Sequence, residues 1–401
     1  MKLFNAATFR QQFPALQQPG VYLDSAATAL KPQAVIDAIE QSYSHHIGNV
    51  HRSQHHGAQA LTQQFEDARA LVAAFIHAQD SRNIIWTRGT TEAINLIAQS
   101  YARPRLQPGD QILVSEAEHH ANLIPWLMVA QQTSAQVVKL PIGTDLVPDL
   151  NQLATLLTPR TRLLALGQMS NVTGGMPDLG RAITLAHQVG AVVVVDGAQG
   201  VVHHTPDVQL LDIDFYAFSG HKLYGPTGIG ALYGKPDLLE SMPPWHGGGK
   251  MMTDVSFAGF VPQVVPQRFE AGTPHIAGVI GLAATLRWLV EQDMDAAEQY
   301  STALAEEVET RLATLPGFRS FRCPGSSLLS FEFDQVHHND LVTLLAEDGI
   351  ALRAGHHCAQ PLMNALGLKG TLRASFAPYN TEQDADRLVE ATRKALELLT
   401  D

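Results

Sequence analysis

Ser219-Gly220-His221-Lys222-Leu223-Tyr224-Gly225-Pro226-Thr227-Gly228-Ile229-Gly230 sets one lysine, Lys222, between two turn-forming glycines, Gly220 and Gly225. The run before it, Ile213-Asp214-Phe215-Tyr216-Ala217-Phe218, reads as an aromatic-rich strand. Lys222 is therefore expected just past a strand end, on a tight loop. Desolvation there lowers a lysine's pKa and makes it a nucleophile toward an aldehyde. For a lone lysine the ordinary alternative, a surface turn, usually wins. Two neighbours change the odds. Val192 to Val195 is a strand of four valines closed by Asp196, and Ser219 and His221 flank the lysine with groups able to bond a phosphate. A pyridoxal phosphate cofactor asks for such a set: a lysine for its aldehyde and a carboxylate for its pyridine nitrogen.

Composition bounds what the rest can be. The chain has 401 residues, 45% hydrophobic and 16% charged, enough for a large core and about two or three domains. The net charge is −12, without a basic run that would track a phosphate backbone, so nucleic acid is not an expected partner. Cys323 and Cys358 alone build no disulfide framework. The start, Met1-Lys2-Leu3-Phe4-Asn5-Ala6, lacks the apolar core of a leader, and no apolar run is long enough for a bilayer. The expectation is a reduced, cytoplasmic protein with no membrane contact.

Outward from the lysine, strands and helices alternate. Ile84–Thr87 reads as a strand, then Arg88-Gly89-Thr90-Thr91-Glu92 opens a helix. Free N–H groups and hydroxyls at a helix start make an anion site, though an ordinary threonine cap is an equal alternative. Strands follow at 111–114, 137–141, 162–166 and 192–195, with helices at 121–132, 150–157 and one along Leu179, Ile183 and Ala186 that stops at Gly190. The valine run has no polar alternation and must be covered on both faces. The pattern is α/β, a doubly wound, mainly parallel sheet. In such sheets ligands sit beyond the strand carboxyl ends, where Gly89–Thr91, His119, Asn171, Asp196 and Lys222 would gather. The Gly247–Gly249 run, Pro262 and Pro266 mark irregular chain. Helices are expected at 276–290 and about 295–312. A smaller α+β domain then reads β-α-β-β-α, with a helix capped by Asn339. The division is an arm at 1–20 packing with the small domain, a large domain at 21–294 and a small one at 295–401.

Cys358 lies in Arg353-Ala354-Gly355-His356-His357-Cys358-Ala359-Gln360-Pro361. A free thiol titrates near about 8.5, and two histidines and an arginine close by could raise its thiolate fraction. The common fate of a free cysteine is burial. This loop is too polar for that, whereas Cys323 suits it. Ligation of one ion by three consecutive residues is sterically poor. His51 and His55 have an i, i+4 metal spacing but no supporting third ligand, so substrate-edge contacts or a subunit interface fit them better.

Along its whole length the chain resembles the cysteine desulfurases of the SufS/CsdA type, class V aminotransferase relatives with the type I pyridoxal-phosphate fold. The resemblance rests on Tyr22–Ala27, Arg88–Glu92, Glu118-His119-His120-Ala121-Asn122, Asp196-Gly197-Ala198-Gln199, Ser219–Gly228, Glu270-Ala271-Gly272-Thr273-Pro274 and Arg353–Ala359. It implies that Lys222 holds the cofactor and takes the Cα proton. Asp196 would face the pyridine nitrogen, and His119 would stack on the ring and assist proton transfers. Gln199 and Asn171 would bond the ring oxygen or steady the substrate. Thr90, Thr91, Ser219 and His221 would hold the phosphate, with Thr273 reaching in from a second subunit of a homodimer. Arg373 would pair with the substrate carboxylate, beside Ala27 and His51. Cys358 would attack the sulfur of L-cysteine, leaving alanine and a persulfide for a SufE-like acceptor and iron–sulfur cluster assembly. Cysteine sulfinate and selenocysteine would also be substrates. The alternatives left open are a selenocysteine lyase or an aminotransferase on the same scaffold, a silent scaffold subunit, and, remotely, a zinc hydrolase at His45–His56.

Overall fold

The computed structural model describes residues 4–400; Met1-Lys2-Leu3, part of the leader reading, lie outside the described residues. Its centre is a seven-stranded sheet of β1 (Ile84–Thr87), β2 (Gln111–Ser115), β3 (Gln136–Leu140), β4 (Thr161–Gly167), β5 (Val192–Asp196), β6 (Phe215–Ser219) and β7 (Gly230–Gly234). The spatial order is β1-β7-β6-β5-β4-β2-β3. All neighbouring pairs from β3 to β6 are parallel, and β7 alone runs against β6 and β1. The sheet is thus mainly parallel, as expected.

The valine strand shows why. Val193 and Val195 enter one core cluster with Leu164, Ile183 and Tyr216, while Val194 enters the other with Ala165, Phe215 and Trp126. Successive strand residues face opposite sides, so a strand with apolar residues at every position must be roofed twice.

The stretch read as irregular differs from expectation. Met252–Ser256 (β8) and Gly259–Pro262 (β9) form an antiparallel hairpin. Val255, Phe257, Phe260 and Val261 on it are exposed, so no inward face marks these strands in the sequence. The helix expected from residue 121 is a single 3-10 turn, His120–Asn122, followed by a helix over Ile124–Thr133, with Pro125 in its first turn where its missing N–H costs nothing.

The chain then builds a four-stranded antiparallel sheet in the order β10 (Phe318–Ser320), β11 (Leu328–Phe333), β13 (Thr371–Ser375), β12 (Arg353–Gly355). A helix over His338–Glu347 is capped by the His337 ring rather than by Asn339. The helix Glu382–Thr400 covers the sheet through Leu388, Val389 and Ala395. Tyr22–Ala27 is threaded onto β13, where Ser375 donates its N–H to Leu23 O and its Oγ accepts from Ala26 N–H.

The N-terminal arm touches both parts. Phe9 and Phe13 are buried against Tyr224 and Trp288, and Phe13 also meets the Tyr379 ring at 4.8 Å. Arg10 reaches Asp384. The arm therefore does not pack with the C-terminal part alone, because its phenylalanines fill a seam between the two. Among the described residues no helix is long and apolar enough to cross a membrane, and no group of three His, Cys, Asp or Glu could hold a metal.

Candidate active site

The carboxyl ends of five strands converge on one cavity of about 260 Å³. Thr90 and Thr91 follow β1, Glu118 and His119 follow β2, Asn171 follows β4, Asp196 ends β5, and Ser219, His221 and Lys222 leave β6. Register sets two of these strands, β1 and β6, on either side of β7: Gly230 of β7 pairs with Thr87 on one flank and Ser219 on the other. Ala27, Gln199, Arg353, His357, Cys358 and Arg373 also line it.

The Lys222 loop closes on itself. Leu223 and Gly225 donate their N–H groups to Gly220 O, and Gly220 donates to Ile229 O. A Cβ at Gly225 would stand 2.9 Å from Gly220 O, so the loop can be this tight only with glycine there. Three donors converge on the carbonyl just before Lys222: Ala29 N–H, Thr28 Oγ1 and Lys31 Nζ, which sits 2.8 Å from His221 O. Burial pulls Lys222 down to about 8, with Arg373 and Arg353 pulling the same way and Asp196 opposing. An amine that loses its proton more readily than an ordinary lysine, on a fixed loop, suits condensation with an aldehyde.

The anion end lies at Gly89–Thr90. Gly89 has φ +154 and comes so close to Ser219 that an added Cβ would be 3.2 Å from its Oγ. Thr90 N–H donates to Ser219 Oγ at 2.9 Å, and the two hydroxyls stand 2.7 Å apart. His221 Nδ1 lies 3.2 Å from Thr28 Oγ1, and burial lowers its pKa to about 4, so it meets an anion as a neutral donor or acceptor.

At the other end Asp196 Oδ1 accepts from Ala198 N–H at 2.9 Å; burial raises its pKa and Lys222 counters. His119 Nδ1 accepts from Ala121 N–H, so the ring hydrogen sits on Nε2. Burial lowers His119 to about 4, which keeps the ring neutral. Gln199 spends its amide nitrogen on Ala26 O at 2.7 Å. Arg373 is 2% exposed. It donates Nη1 to Asn171 O at 2.9 Å and Nη2 to Asp24 at 3.4 Å, while its Nε is buried without a partner. Strand β13 lies between β11 and β12, so Arg373 is not at a sheet edge, though it does have a salt bridge.

These residues fit a pyridoxal phosphate. Hydroxyls of Thr90, Thr91 and Ser219, the buried carboxyl of Asp196 and the amine of Lys222 line one cavity, and Arg373 keeps one buried guanidinium N–H unpaired. Cys358 shares the cavity wall and is exposed. Of the two histidines beside it, His357 is held neutral, lowered to about 3 by burial and Arg373, and so lends the thiol no charge. Cys323 is buried and burial raises its pKa, as suits a structural thiol.

Thr273 and His51 are not brought to this cavity. Thr273 Oγ1 accepts from Asn49 Nδ2 at 3.1 Å, and His51 Nε2 lies 2.8 Å from Glu66. Sequence reasoning gave Glu118 no role of its own and took His357 only as one of two histidines able to raise the thiolate fraction of Cys358. Glu118, raised to about 8 by burial, lines the cavity as a neutral acid and accepts from Asn122 Nδ2 at 2.7 Å. His357 anchors the cysteine loop. The i, i+4 spacing of Glu118 and Asn122 was a legible signal for the first; nothing local announces the second.

The aminotransferase class-V family model matches residues 21–388. The chain is 67% identical over 401 residues to the cysteine desulfurase CsdA of Escherichia coli (strain K12), covering 100% of both. It is similar to a crystal structure of that enzyme in an S-sulfonic acid form, with a TM-score of 0.95 and 66% identity over 99% of this chain and 100% of the other. A C-DES variant with glycine covalently linked to its PLP cofactor matches at a TM-score of 0.83 and 25% identity, over 96% and 98% of the two chains.

Proposed function

This chain belongs to the aminotransferase class-V family, and on that premise we propose how its residues divide the work of a desulfurase. The protein is a pyridoxal-phosphate-dependent cysteine desulfurase of the type I fold. The observation that carries the reading is that one condensing amine, Lys222, and one exposed thiol, Cys358, line the same cavity.

When bound, the cofactor supplies an electron sink for the substrate Cα. Lys222 would hold it covalently and, as a free amine, would take the Cα proton. Asp196 would face the pyridine nitrogen. Thr90, Thr91, Ser219 and His221 hold the phosphate. His119 would lie against the ring and assist proton transfers through its Nε2–H. Gln199 and Asn171 steady the ring oxygen and the substrate, and Arg373 takes the carboxylate. The Cys358 thiolate attacks the substrate sulfur. The new S–S bond forms as the Cβ–S bond breaks, the bonding pair stays on Cβ and takes a proton there, and return of a proton to Cα leaves alanine. Cys358 keeps the persulfide.

The sulfur then passes to a SufE-like acceptor, toward iron–sulfur cluster or related biosynthesis in the cytoplasm. Cysteine sulfinate and selenocysteine are further substrates. The working unit is a homodimer in which Thr273 and His51 act in a partner's site. The exposed apolar side chains of the β8–β9 hairpin support it, since such patches ask for a covering surface.

The test is the visible spectrum of the purified protein, then alanine and sulfide release from cysteine. Cys358→Ser should keep the cofactor's absorption, stop cysteine desulfuration and spare sulfinate and selenocysteine turnover. Undiminished cysteine turnover by that variant would overturn the role of Cys358.

A further inference from the structure

The loop that carries Cys358 is held by two outside anchors and one bond of its own. Asn171 Nδ2 donates to His357 O at 2.7 Å, His120 N–H donates to Cys358 O at 2.6 Å, and Ala359 N–H donates to His356 O at 2.9 Å. Between these anchors His357 and Cys358 both have φ +53. Two successive side-chain-bearing residues in the left-handed region persist only where their surroundings impose it.

The His357 ring supplies that imposition. Its Nε2 lies 3.1 Å from Thr371 O and 2.9 Å from Thr371 Oγ1. A carbonyl can only accept, so Nε2 bears the hydrogen and Nδ1 is bare. Nδ1 is buried without a partner, and a proton added there would face the Arg373 guanidinium. The ring therefore acts as a neutral peg. It is pinned to β13 two residues before Arg373, so the thiol loop and the carboxylate-binding arginine hang from one strand.

We propose that His357 is a positioning residue for Cys358, whose Nε2–H bond to Thr371 holds residues 357 and 358 in the conformation that turns the thiol into the Lys222 cavity. This rests on the reading of Cys358 as the thiol that takes the sulfur.

Two measurements test it. The first is the rate of Cys358 alkylation by iodoacetamide in the cofactor-free protein, with the modified residue mapped by mass spectrometry. The second is kcat and KM for cysteine in the holoenzyme. His357→Leu removes the donor at similar bulk. His357→Gln restores an N–H near the place of Nε2–H. The leucine protein should lose at least tenfold in kcat with KM within threefold, keep the lysine-bound cofactor's absorption, and change its alkylation rate at least threefold. The glutamine protein should stay within threefold of the parent on every count. Should the leucine protein not fold, His357→Asn, whose amide reaches only as far as Nδ1, serves in its place with the same expectation. A donorless protein with parental kcat and alkylation rate would overturn the proposal. So would a glutamine protein as impaired as the leucine one. Failure of the underlying reading shows separately, as a Cys358→Ser protein that still desulfurates cysteine.

Discussion

Arg69 and Glu270 meet as a two-armed ion pair, Nη1 to Oε2 at 2.7 Å and Nη2 to Oε1 at 2.8 Å, with Arg69 1% exposed. Glu270 also accepts the Trp86 N–H on β1, and Arg69 donates to Ile84 O. One carboxylate thus ties the Glu270–Pro274 segment to the first strand of the sheet. Removing one partner of a buried pair costs about 3–5 kcal/mol where the other charge is left uncompensated; Arg69 keeps Glu66 as a second partner at 2.9 Å, so the loss here is smaller. Glu270→Ala should still lower the denaturant midpoint of the cofactor-free protein measurably. An unchanged midpoint would show that the pair contributes nothing net.

The Lys222 amine should be reactive well below the usual lysine range. With a pKa of about 8, roughly a tenth of it is neutral at pH 7, against roughly 0.03% for an ordinary lysine. Reconstitution of cofactor-free protein should therefore speed up between pH 6.5 and 8.5, by about tenfold or more, and level off above. A rate still climbing steeply at pH 10 would contradict the shift.

Glu118 gives a pH signature of stability. Burial raises its folded pKa to about 8, above the unfolded value of about 4.3. The folded state then holds a proton that the unfolded state releases, so stability from this group is whole below about pH 4 and is lost as pH rises to about 8. Glu118→Gln cannot ionise. In the cofactor-free protein its midpoint should gain on the parent from pH 5 to pH 8. A constant difference across that range would show that Glu118 is ionised in the fold.

Thiol counting separates the two cysteines. Cys358 is exposed, while Cys323 is 7% exposed beneath Gly175 and the Asp145 carbonyl. Native protein should take one equivalent of alkylating agent, at Cys358, and two after denaturation. Fast modification of Cys323 in native protein would show that the cover opens.

Much of the site could be read locally because a strand end, a turn and a functional residue are adjacent in sequence. The valine run with Asp196 and the aromatic strand with Lys222 are such cases. The β8–β9 hairpin was not readable, since strands exposed throughout carry no inward apolar period. The reversal of β7 was hidden too: an apolar strand reads the same in either direction, and only its pairing with Thr87 and Ser219 gives its sense.

The order of residues was enough to nominate the amine, its carboxyl partner and the thiol, because each stands on a short segment with its own periodicity and turn chemistry. It could not say that Asp24 lies between Arg353 and Arg373, that Asn171 spends its amide on the cysteine loop, or that His357 is pinned to Thr371. The first two contacts join segments far apart in the chain, and the third needs neighbouring strands of the small sheet to pair; none exists until the tertiary fold has formed and water has left the space between the segments.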